Sequence, residues 1–315
     1  MNIGIDIGGT NIGAGLLDEN LNIVHRIEIP TKADKGYDFI ESQIISIIKE
    51  MFSKAYELNQ EIDSIGIGIP GITEPSGDNV VYCANLNWNN VPLGKNLREK
   101  FNIPINIEND ATVAGIAESA LGVSKGYSNS VFITLGTGVG GGFIIDGKVY
   151  SGSHGVASEI GHMLVGENFY DCNCGNNGCL ETFASSTAIQ KYVIKKIEEG
   201  YRDTLLLKKV NNVNEIDTKL IFECAKLGDE LSNKAVDRMV KYLTIGIVNI
   251  INTIDPEIIA IGGGVAKAGG FFLDKIKNLV PRYILFKEIS FAEIKLAKLG
   301  NDAGIIGAAM LNQYK

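Results

Sequence analysis

Short apolar runs, several of them ending in glycine, alternate along this chain with longer segments of helical periodicity. The apolar runs predict β-strands at 3–7, 12–17, 65–69, 103–107, 130–135, 142–145 and 258–261. Apolar residues at helical spacing predict helices at 37–58, 111–120 and 233–253, and a further helix that starts after Asp302 as its N-cap. The pair Asp146-Gly147 predicts a tight hairpin turn.

The two halves of the chain repeat a similar arrangement. Each half opens with a strand, a glycine turn and a second strand, and the two turns are Gly8-Gly9-Thr10 and Gly136-Thr137-Gly138. Each half later supplies an apolar strand that ends in glycine, at Pro70-Gly71 and at Gly262-Gly263-Gly264. This echo predicts two similar lobes with a cleft between them, although segments this short can also resemble each other by chance.

Glycine turns after strands can present bare backbone N–H groups to phosphate oxygens, because no Cβ blocks close approach. One such turn is usually only a turn, but three of them in a chain with paired halves favour a nucleotide ligand. The glycines at 136–141 also fit the dinucleotide-binding pattern, but that fingerprint opens a helix, whereas here a strand follows. Neither a Walker A sequence nor the protein-kinase signature set is present.

Charge and length exclude some classes of protein. The 315 residues carry a formal net charge of −8, which argues against general binding to nucleic acid or to a membrane surface. No apolar run approaches the ~18 residues of a membrane span, and no signal peptide precedes the first strand. We therefore expect a soluble cytoplasmic protein.

One histidine and three cysteines are clustered in the second half: His162, Cys172, Cys174 and Cys179. Three thiolates and one imidazole form the closed tetrahedral ligand set of a structural Zn²⁺. Gly175 and Gly178 would let the backbone fold back so that these ligands converge. A disulfide is one alternative, although it would leave an odd thiol and is disfavoured in the cytosol. Unrelated free thiols are the other alternative.

A second cluster, Glu108-Asn109-Asp110-Ala111, lies where a predicted strand meets a predicted helix. Asp110 at this junction can act as a general base that takes the proton from a hydroxyl as it attacks a γ-phosphorus. Alternatively, Asp110 is an N-cap that accepts a backbone N–H of the first helical turn. Asn109 offers both a donor and an acceptor, which suits a polyol.

Glu159 and His162 share a face if they lie on one helical turn. His162 can then give one ring nitrogen to a metal and keep the other for a hydrogen bond. Glu181 follows Cys179 by two residues, so the same loop would hold it. These groups predict a rigid wall of hydroxyl-binding side chains. The alternative is a purely structural metal site with solvated glutamates.

Five motifs together resemble the ROK family (repressors, open reading frames and sugar kinases), and most of all its bacterial glucokinases. They are Asp6-Ile7-Gly8-Gly9-Thr10, Glu108-Asn109-Asp110-Ala111, Leu135-Gly136-Thr137-Gly138, Glu159-Ile160-Gly161-His162 and the cysteine motif from Cys172 to Glu181. The resemblance covers nearly the whole chain. It implies the α/β fold of the actin-like (ribonuclease H-like) ATPases, with two lobes around a nucleotide and sugar cleft, and a homodimer or homotetramer. We expect a small lobe at 1–118 plus 300–315 and a large, zinc-binding lobe at 119–299.

The resemblance also implies roles for individual residues. Asp110 would be the catalytic base for the sugar 6-hydroxyl. The sugar hydroxyls would be bound by Gly71, Asn109, Asp110, Glu159, His162 and Glu181. The nucleotide and its Mg²⁺ would be bound by Asp6, Gly8, Gly9, Thr10, Gly136, Thr137, Gly138 and Gly263. Position 11 is Asn where many members carry Lys, so we assign no charged phosphate contact there.

The implied reaction transfers the γ-phosphoryl group of ATP to the 6-hydroxyl of glucose. A ROK kinase for another hexose, such as fructose, mannose or an N-acylhexosamine, is the main alternative, and polyphosphate is an alternative donor. A sugar-responsive repressor is more distant. Repressors of the family carry an additional N-terminal helix-turn-helix, which we do not expect here, and the acidic balance lacks the basic patch that DNA binding requires.

Overall fold

The computed structural model describes residues 1–315. The strands are β1 (Asn2–Ile7), β2 (Asn11–Leu17), β3 (Ile23–Pro30), β4 (Ser64–Ile69), β5 (Ile72–Thr73), β6 (Val80–Cys83), β7 (Trp88–Val91), β8 (Ile105–Asn109), β9 (Ser130–Leu135), β10 (Val139–Ile145), β11 (Lys148–Val149), β12 (Ile258–Gly262) and β13 (Glu293–Leu296). The α-helices are α1 (Tyr37–Glu57), α2 (Leu93–Lys100), α3 (Asp110–Ala120), α4 (Glu181–Ala184), α5 (Ser186–Glu198), α6 (Leu206–Lys209), α7 (Thr218–Lys226), α8 (Glu230–Ile254), α9 (Gly270–Leu279) and α10 (Ala303–Tyr314).

Each strand and helix predicted from the sequence is present, with differences at the ends. The strand predicted from 103 begins at Ile105, after Pro104, which has no N–H to give to a ladder. Helix α8 begins earlier than predicted, because the Asp229 side chain accepts the Ser232 N–H and caps it. At the predicted hairpin turn, Asp146 and Gly147 have positive φ angles of 51° and 75°, as a type I′ turn requires.

The first sheet has the order β3-β2-β1-β4-β8, in which β1, β4 and β8 are parallel neighbours. Isoleucines of β1 and β4 form one core with isoleucines of α1. On the other face, glycines let α10 pack directly on the strands. A Cβ at Gly4 would lie 1.9 Å from the Ile305 carbonyl oxygen, and a Cβ at Gly66 would lie 1.7 Å from the Ala308 carbonyl oxygen. The alternation of isoleucine and glycine therefore reflects two different packing partners.

The start of α10 matches the prediction in position but not in its hydrogen bonding. Asp302 occupies the N-cap position, but its side chain accepts no hydrogen bond from the helix. Instead its carboxylate forms an ion pair with Arg26 of β3. The predicted capping role of Asp302 is wrong, because the residue is already in the helical region of backbone conformation (φ −81°, ψ −13°) and points its carboxylate elsewhere.

Two further sheets have the orders β11-β10-β9-β12-β13 and β5-β6-β7. By contacts within the chain, a first unit comprises Met1–Phe132, Gly142–Ser158 and Lys298–Lys315. A second unit comprises Ile133–Gly141 and Glu159–Ala297. The lobe boundaries given above stay a prediction. None of the helices combines the length and the apolar character that a bilayer crossing requires.

Candidate functional site

Two aspartates lie close together in the first unit. Asp6 is near the end of β1, and Asp110 is the first residue of α3, directly after β8. Burial raises the pKa of both carboxyl groups, and the neighbouring Asp110 charge further raises the pKa of Asp6, to about 6. Carboxyl groups held in surroundings that disfavour their charge are candidates for functional groups. The pair can hold a cation or a proton at the ends of these parallel strands.

Asn109 organises the junction between β8 and α3. Its side-chain oxygen accepts the backbone N–H groups of Ala111 and Thr112, at 2.9 and 3.3 Å, so Asn109 is the N-cap of the helix. Its side-chain nitrogen donates to the Gly71 carbonyl oxygen at 3.1 Å. The alternative that Asp110 serves as this N-cap is therefore wrong. Asp110 lies one position further on, and its side chain accepts the Ala111 N–H at 2.8 Å.

Thr31, a residue outside the first glycine turn that the sequence analysis missed, stabilises this turn through hydrogen bonds. The Gly8 N–H donates to the Asn11 carbonyl oxygen at 2.9 Å, which closes the turn. Thr31 donates its hydroxyl to the Gly8 carbonyl oxygen at 2.7 Å and its N–H to the Thr10 carbonyl oxygen at 2.8 Å. Gly9 and Thr10 are exposed at the tip. No sequence motif marks a buried threonine that braces a distant turn.

The histidine and the three cysteines of the predicted metal site converge in the second unit. Their candidate ligand atoms all lie within 4.8 Å of one another. The Cys172 Sγ and His162 Nδ1 atoms are 3.6 Å apart, and so are the Sγ atoms of Cys174 and Cys179. Tetrahedral Zn²⁺ with ligand bonds of 2.0–2.3 Å needs ligand atoms roughly 3.5–3.8 Å apart, so the set fits this ion. All five cysteines of the chain are free, which disfavours the disulfide alternative.

The backbone and the burial of the cluster set its thiol chemistry. A hydrogen bond from the Asn176 backbone lowers the pKa of the exposed Cys174 to about 7. Burial raises the pKa of Cys179 to about 12, and it also raises the pKa of Cys172. A metal ion that takes these sulfurs as thiolates must therefore displace protons from the two buried thiols, which makes metal binding dependent on pH.

Glu159, His162 and Glu181, which the sequence analysis predicts to bind hydroxyl groups, lie within or next to this cluster along the chain. Residues Ile160–His162 form one turn of 3₁₀-helix, and the His162 N–H donates to the Glu159 carbonyl oxygen at 3.1 Å. Because Nδ1 of His162 faces the sulfurs, Nε2 is the ring nitrogen left for a hydrogen bond. Glu181, the first residue of α4, has its Oε1 atom 3.7 Å from the Cys172 Sγ atom.

Glu181 also contacts the second glycine turn, between β9 and β10. Its Oε2 atom accepts the Val139 N–H at 3.2 Å, and a Cβ at Gly138 would lie only 2.2 Å from that oxygen. The turn itself is anchored to the start of α5. There the Ser186 N–H donates to the Gly136 carbonyl oxygen at 2.8 Å, and the Thr187 hydroxyl donates to the Thr137 carbonyl oxygen at 2.9 Å.

A cavity of about 600 Å³ opens beside this turn, a volume typical of a site for a small ligand. Its lining combines two glycine turns with apolar, cationic and acidic side chains, among them Gly136, Gly264, Phe222, Val265, Lys226, Lys267, Asp217 and Glu223. The third glycine turn needs its glycine, because Gly263 has a φ of +83° and a Cβ there would lie 2.4 Å from the Leu135 carbonyl oxygen. The α7 residues of this cavity belong to no motif that sequence reasoning identified.

Gly304 is a further residue that the sequence analysis missed. A Cβ at this position in α10 would lie 2.2 Å from Oδ2 of Asp6. The bare backbone therefore makes room for the carboxyl group. A glycine near the start of a helix gives no such signal in the sequence, because its partner lies in β1, at the other end of the chain.

Comparison with known proteins identifies the class. A model described as "ROK family" matches residues 2–315. A glucokinase of Halalkalibacterium halodurans is 36% identical over 310 residues, which cover 98% of this chain and 94% of that protein. A xylose repressor of Caldicellulosiruptor bescii is 31% identical over 307 residues, which cover 97% of this chain and 76% of the repressor. The solved structure of a ROK family glucokinase from Streptomyces griseus, in complex with glucose and AMPPNP, has 31% identity and a TM-score of 0.81, covering 98% of each chain.

These matches and the α/β architecture define a protein with the actin-like ATPase fold, which the family resemblance implied. Within that class, the chain belongs to the ROK family.

Proposed function

We propose that this protein is an ATP-dependent sugar kinase, and that it phosphorylates glucose at the 6-hydroxyl. The observation that carries the proposal is Asp110, a buried carboxylate at the start of α3 that accepts the Ala111 backbone N–H and whose pKa is raised by burial. Such a group has the basicity and the free oxygen that a general base needs. The similarity to glucokinases, one of them solved with glucose and AMPPNP, supports the choice of sugar and donor.

In this proposal the chain binds and orients the two substrates and deprotonates the 6-hydroxyl of the sugar. Asp110 accepts the proton of the 6-hydroxyl as its oxygen attacks the γ-phosphorus, a contribution of roughly 10²–10⁴-fold. Phosphoryl transfer needs little covalent help, so positioning of the two substrates accounts for much of the rest. The sugar hydroxyls are bound by Gly71, Asn109, Glu159, His162 and Glu181. The phosphates, and the Mg²⁺ that would neutralise their charge, would be held by Asp6, Gly8, Gly9, Thr10, Gly136, Thr137, Gly138 and Gly263.

We propose a structural role for zinc. His162, Cys172, Cys174 and Cys179 would hold the ion, whose ligand set leaves no open position for substrate. Its contribution would be folding energy and a fixed loop, which would hold Glu181 and His162 in place as hydroxyl-binding groups.

The test of the catalytic assignment is Asp110→Asn. We expect turnover to fall by roughly 10²–10⁴-fold, while glucose binding by calorimetry is retained, because the amide keeps the size and most hydrogen bonds of the carboxylate. Asp34→Asn, which removes an exposed carboxylate from the same unit, is the control and should leave turnover unchanged. Near-normal turnover in Asp110→Asn contradicts the base assignment.

The sugar and the donor are tested together in a coupled kinase assay. A panel of glucose, fructose, mannose and N-acylhexosamines, each with ATP or polyphosphate, should give the highest kcat/KM for glucose with ATP. A preference for a different hexose would support the assignment as a sugar kinase but contradict glucose as its substrate. Sugar binding without phosphorylation of any member of the panel would instead favour a regulatory role, which the similarity to a xylose repressor makes the second candidate.

A further inference from the structure

Arg238 of α8 lies among aromatic rings rather than beside a carboxylate. Its guanidinium carbon is 4.6–5.9 Å from the centroids of four rings: Phe183, Tyr192, Tyr242 and Phe169. The side chain is partly buried and forms no ion pair with an acidic residue. A guanidinium removed from water needs compensation, and the rings supply part of it through cation–π contacts. A hydrogen bond supplies the rest of this compensation.

Arg238 forms this hydrogen bond with the loop that carries the candidate metal ligands. Arg238 Nη2 donates to Asn168 Oδ1 at 2.7 Å. The same amide then donates through Nδ2 to the Thr182 carbonyl oxygen at 2.7 Å. The Tyr170 hydroxyl donates to that oxygen too, at 2.9 Å. The arginine thus fixes the orientation of Asn168, and Asn168 holds the backbone directly after Glu181.

Asn168 also joins the tip of the cysteine segment. Its N–H donates to Asn177 Oδ1 at 2.8 Å, and Asn177 Nδ2 donates back to the Asn168 carbonyl oxygen at 3.0 Å. Asn177 lies between Cys174 and Cys179, so these two hydrogen bonds join Asn168 to the segment that carries both sulfurs. Arg238 is therefore connected to the residue after Glu181 through the side-chain amide of Asn168, and to the cysteine segment through the backbone of the same asparagine.

We infer that Arg238 is the positioning residue of the Cys₃His loop: it arranges the loop for the metal ion and sets the place of Glu181. The metal part of the inference depends only on the geometry of the loop. The part that concerns Glu181 rests on the proposed function, because Glu181 is there a sugar-binding group. Loss of the arginine should weaken zinc binding and disturb the placement of Glu181. For zinc affinity we expect a loss of roughly 10–100-fold, which is typical when an outer-shell contact of a metal site is removed.

The experiment compares Arg238→Met with Lys241→Met in zinc-loaded protein. Lys241 lies on the same helix with its ammonium 5.4 Å from the Tyr242 ring, but it makes no hydrogen bond to the loop. We expect Zn²⁺ transfer to a colorimetric chelator to show roughly 10–100-fold weaker retention in Arg238→Met and wild-type retention in Lys241→Met. In the kinase assay, Arg238→Met should raise the KM for sugar more than it lowers kcat. Wild-type zinc retention in Arg238→Met, or equal loss in both variants, overturns the inference.

Asn168→Ala provides a second, independent variant, since it removes the side-chain amide that joins Arg238 to the Thr182 carbonyl oxygen and leaves the aromatic rings in place. Circular dichroism decides whether Arg238→Met is folded, and if it is not, Asn168→Ala decides the case. Weak zinc retention in a folded Asn168→Ala supports the relay, and wild-type retention contradicts it. Zinc retention is measured without turnover. A failure of the proposed kinase function would therefore not affect this readout, and it can be distinguished from a failure of the inference about Arg238.

Discussion

Asp6 should destabilise the folded protein at neutral pH, and replacing it by asparagine should reveal by how much. Its pKa is raised from the ordinary 3.8 to about 6, first by burial and then by the charge of Asp110. The folded state therefore holds this proton more tightly than the unfolded chain does, so stability is lost as pH rises from 3.8 to about 6. A shift of about two pKa units at about 1.4 kcal/mol each corresponds to about 3 kcal/mol.

The assay is urea unfolding of wild type and Asp6→Asn at several pH values, in chelator so that no divalent cation occupies the carboxylates. Costs of the substitution that do not depend on pH cancel when the two pH profiles are subtracted. We expect the unfolding free energy of Asp6→Asn, measured relative to that of the wild type, to rise by about 2–3 kcal/mol between about pH 4 and pH 7. Asp34→Asn should show no such slope. A difference that stays constant over this range refutes the reasoning.

Two further predictions concern the second unit. The purified protein should contain about one zinc ion per chain by atomic emission, and Cys179→Ser should lose it; folded, active protein with negligible zinc would contradict the metal assignment. Gly263→Ala should lower stability by about 1–2 kcal/mol from its left-handed backbone alone, and further because its Cβ would lie 2.4 Å from the Leu135 carbonyl oxygen. Thermal unfolding measures this loss, and an unchanged melting temperature would mean that the turn relaxes freely.

The sequence predicts seven of the thirteen strands, because the apolar runs of these seven are short and regular. It does not reveal why β1 and β4 carry glycines, since the reason is the close approach of α10 from the far end of the chain. The predicted strands and long helices depend on periodicity within one segment, and they are present. The explanation for Gly4 and Gly66 depends on tertiary packing, which periodicity does not contain.

Helix starts show the same limit at the scale of one residue. Asn109 and Asp110 are both good N-cap residues, and only the backbone conformation decides which side chain reaches the free N–H groups. Asp302 is a good N-cap residue as well, yet an ion pair with Arg26 takes its carboxylate. For the candidate site, clustering along the sequence correctly brought His162 and the three cysteines together. Thr31, Gly304 and the α7 wall of the cavity carry no comparable local signal.

Glu181 shows why the loop and the second glycine turn cannot be considered separately. One of its carboxylate oxygens lies 3.7 Å from the Cys172 sulfur, and the other accepts the Val139 N–H and fills the space that a side chain at Gly138 would need. A shift of the cysteine segment must therefore be transmitted to the backbone of the turn, because no empty space separates the two. In the proposed kinase the first of these elements binds sugar and the second binds nucleotide. A metal-bound loop would then keep the two binding groups in a fixed geometry, which is what phosphoryl transfer between two substrates requires.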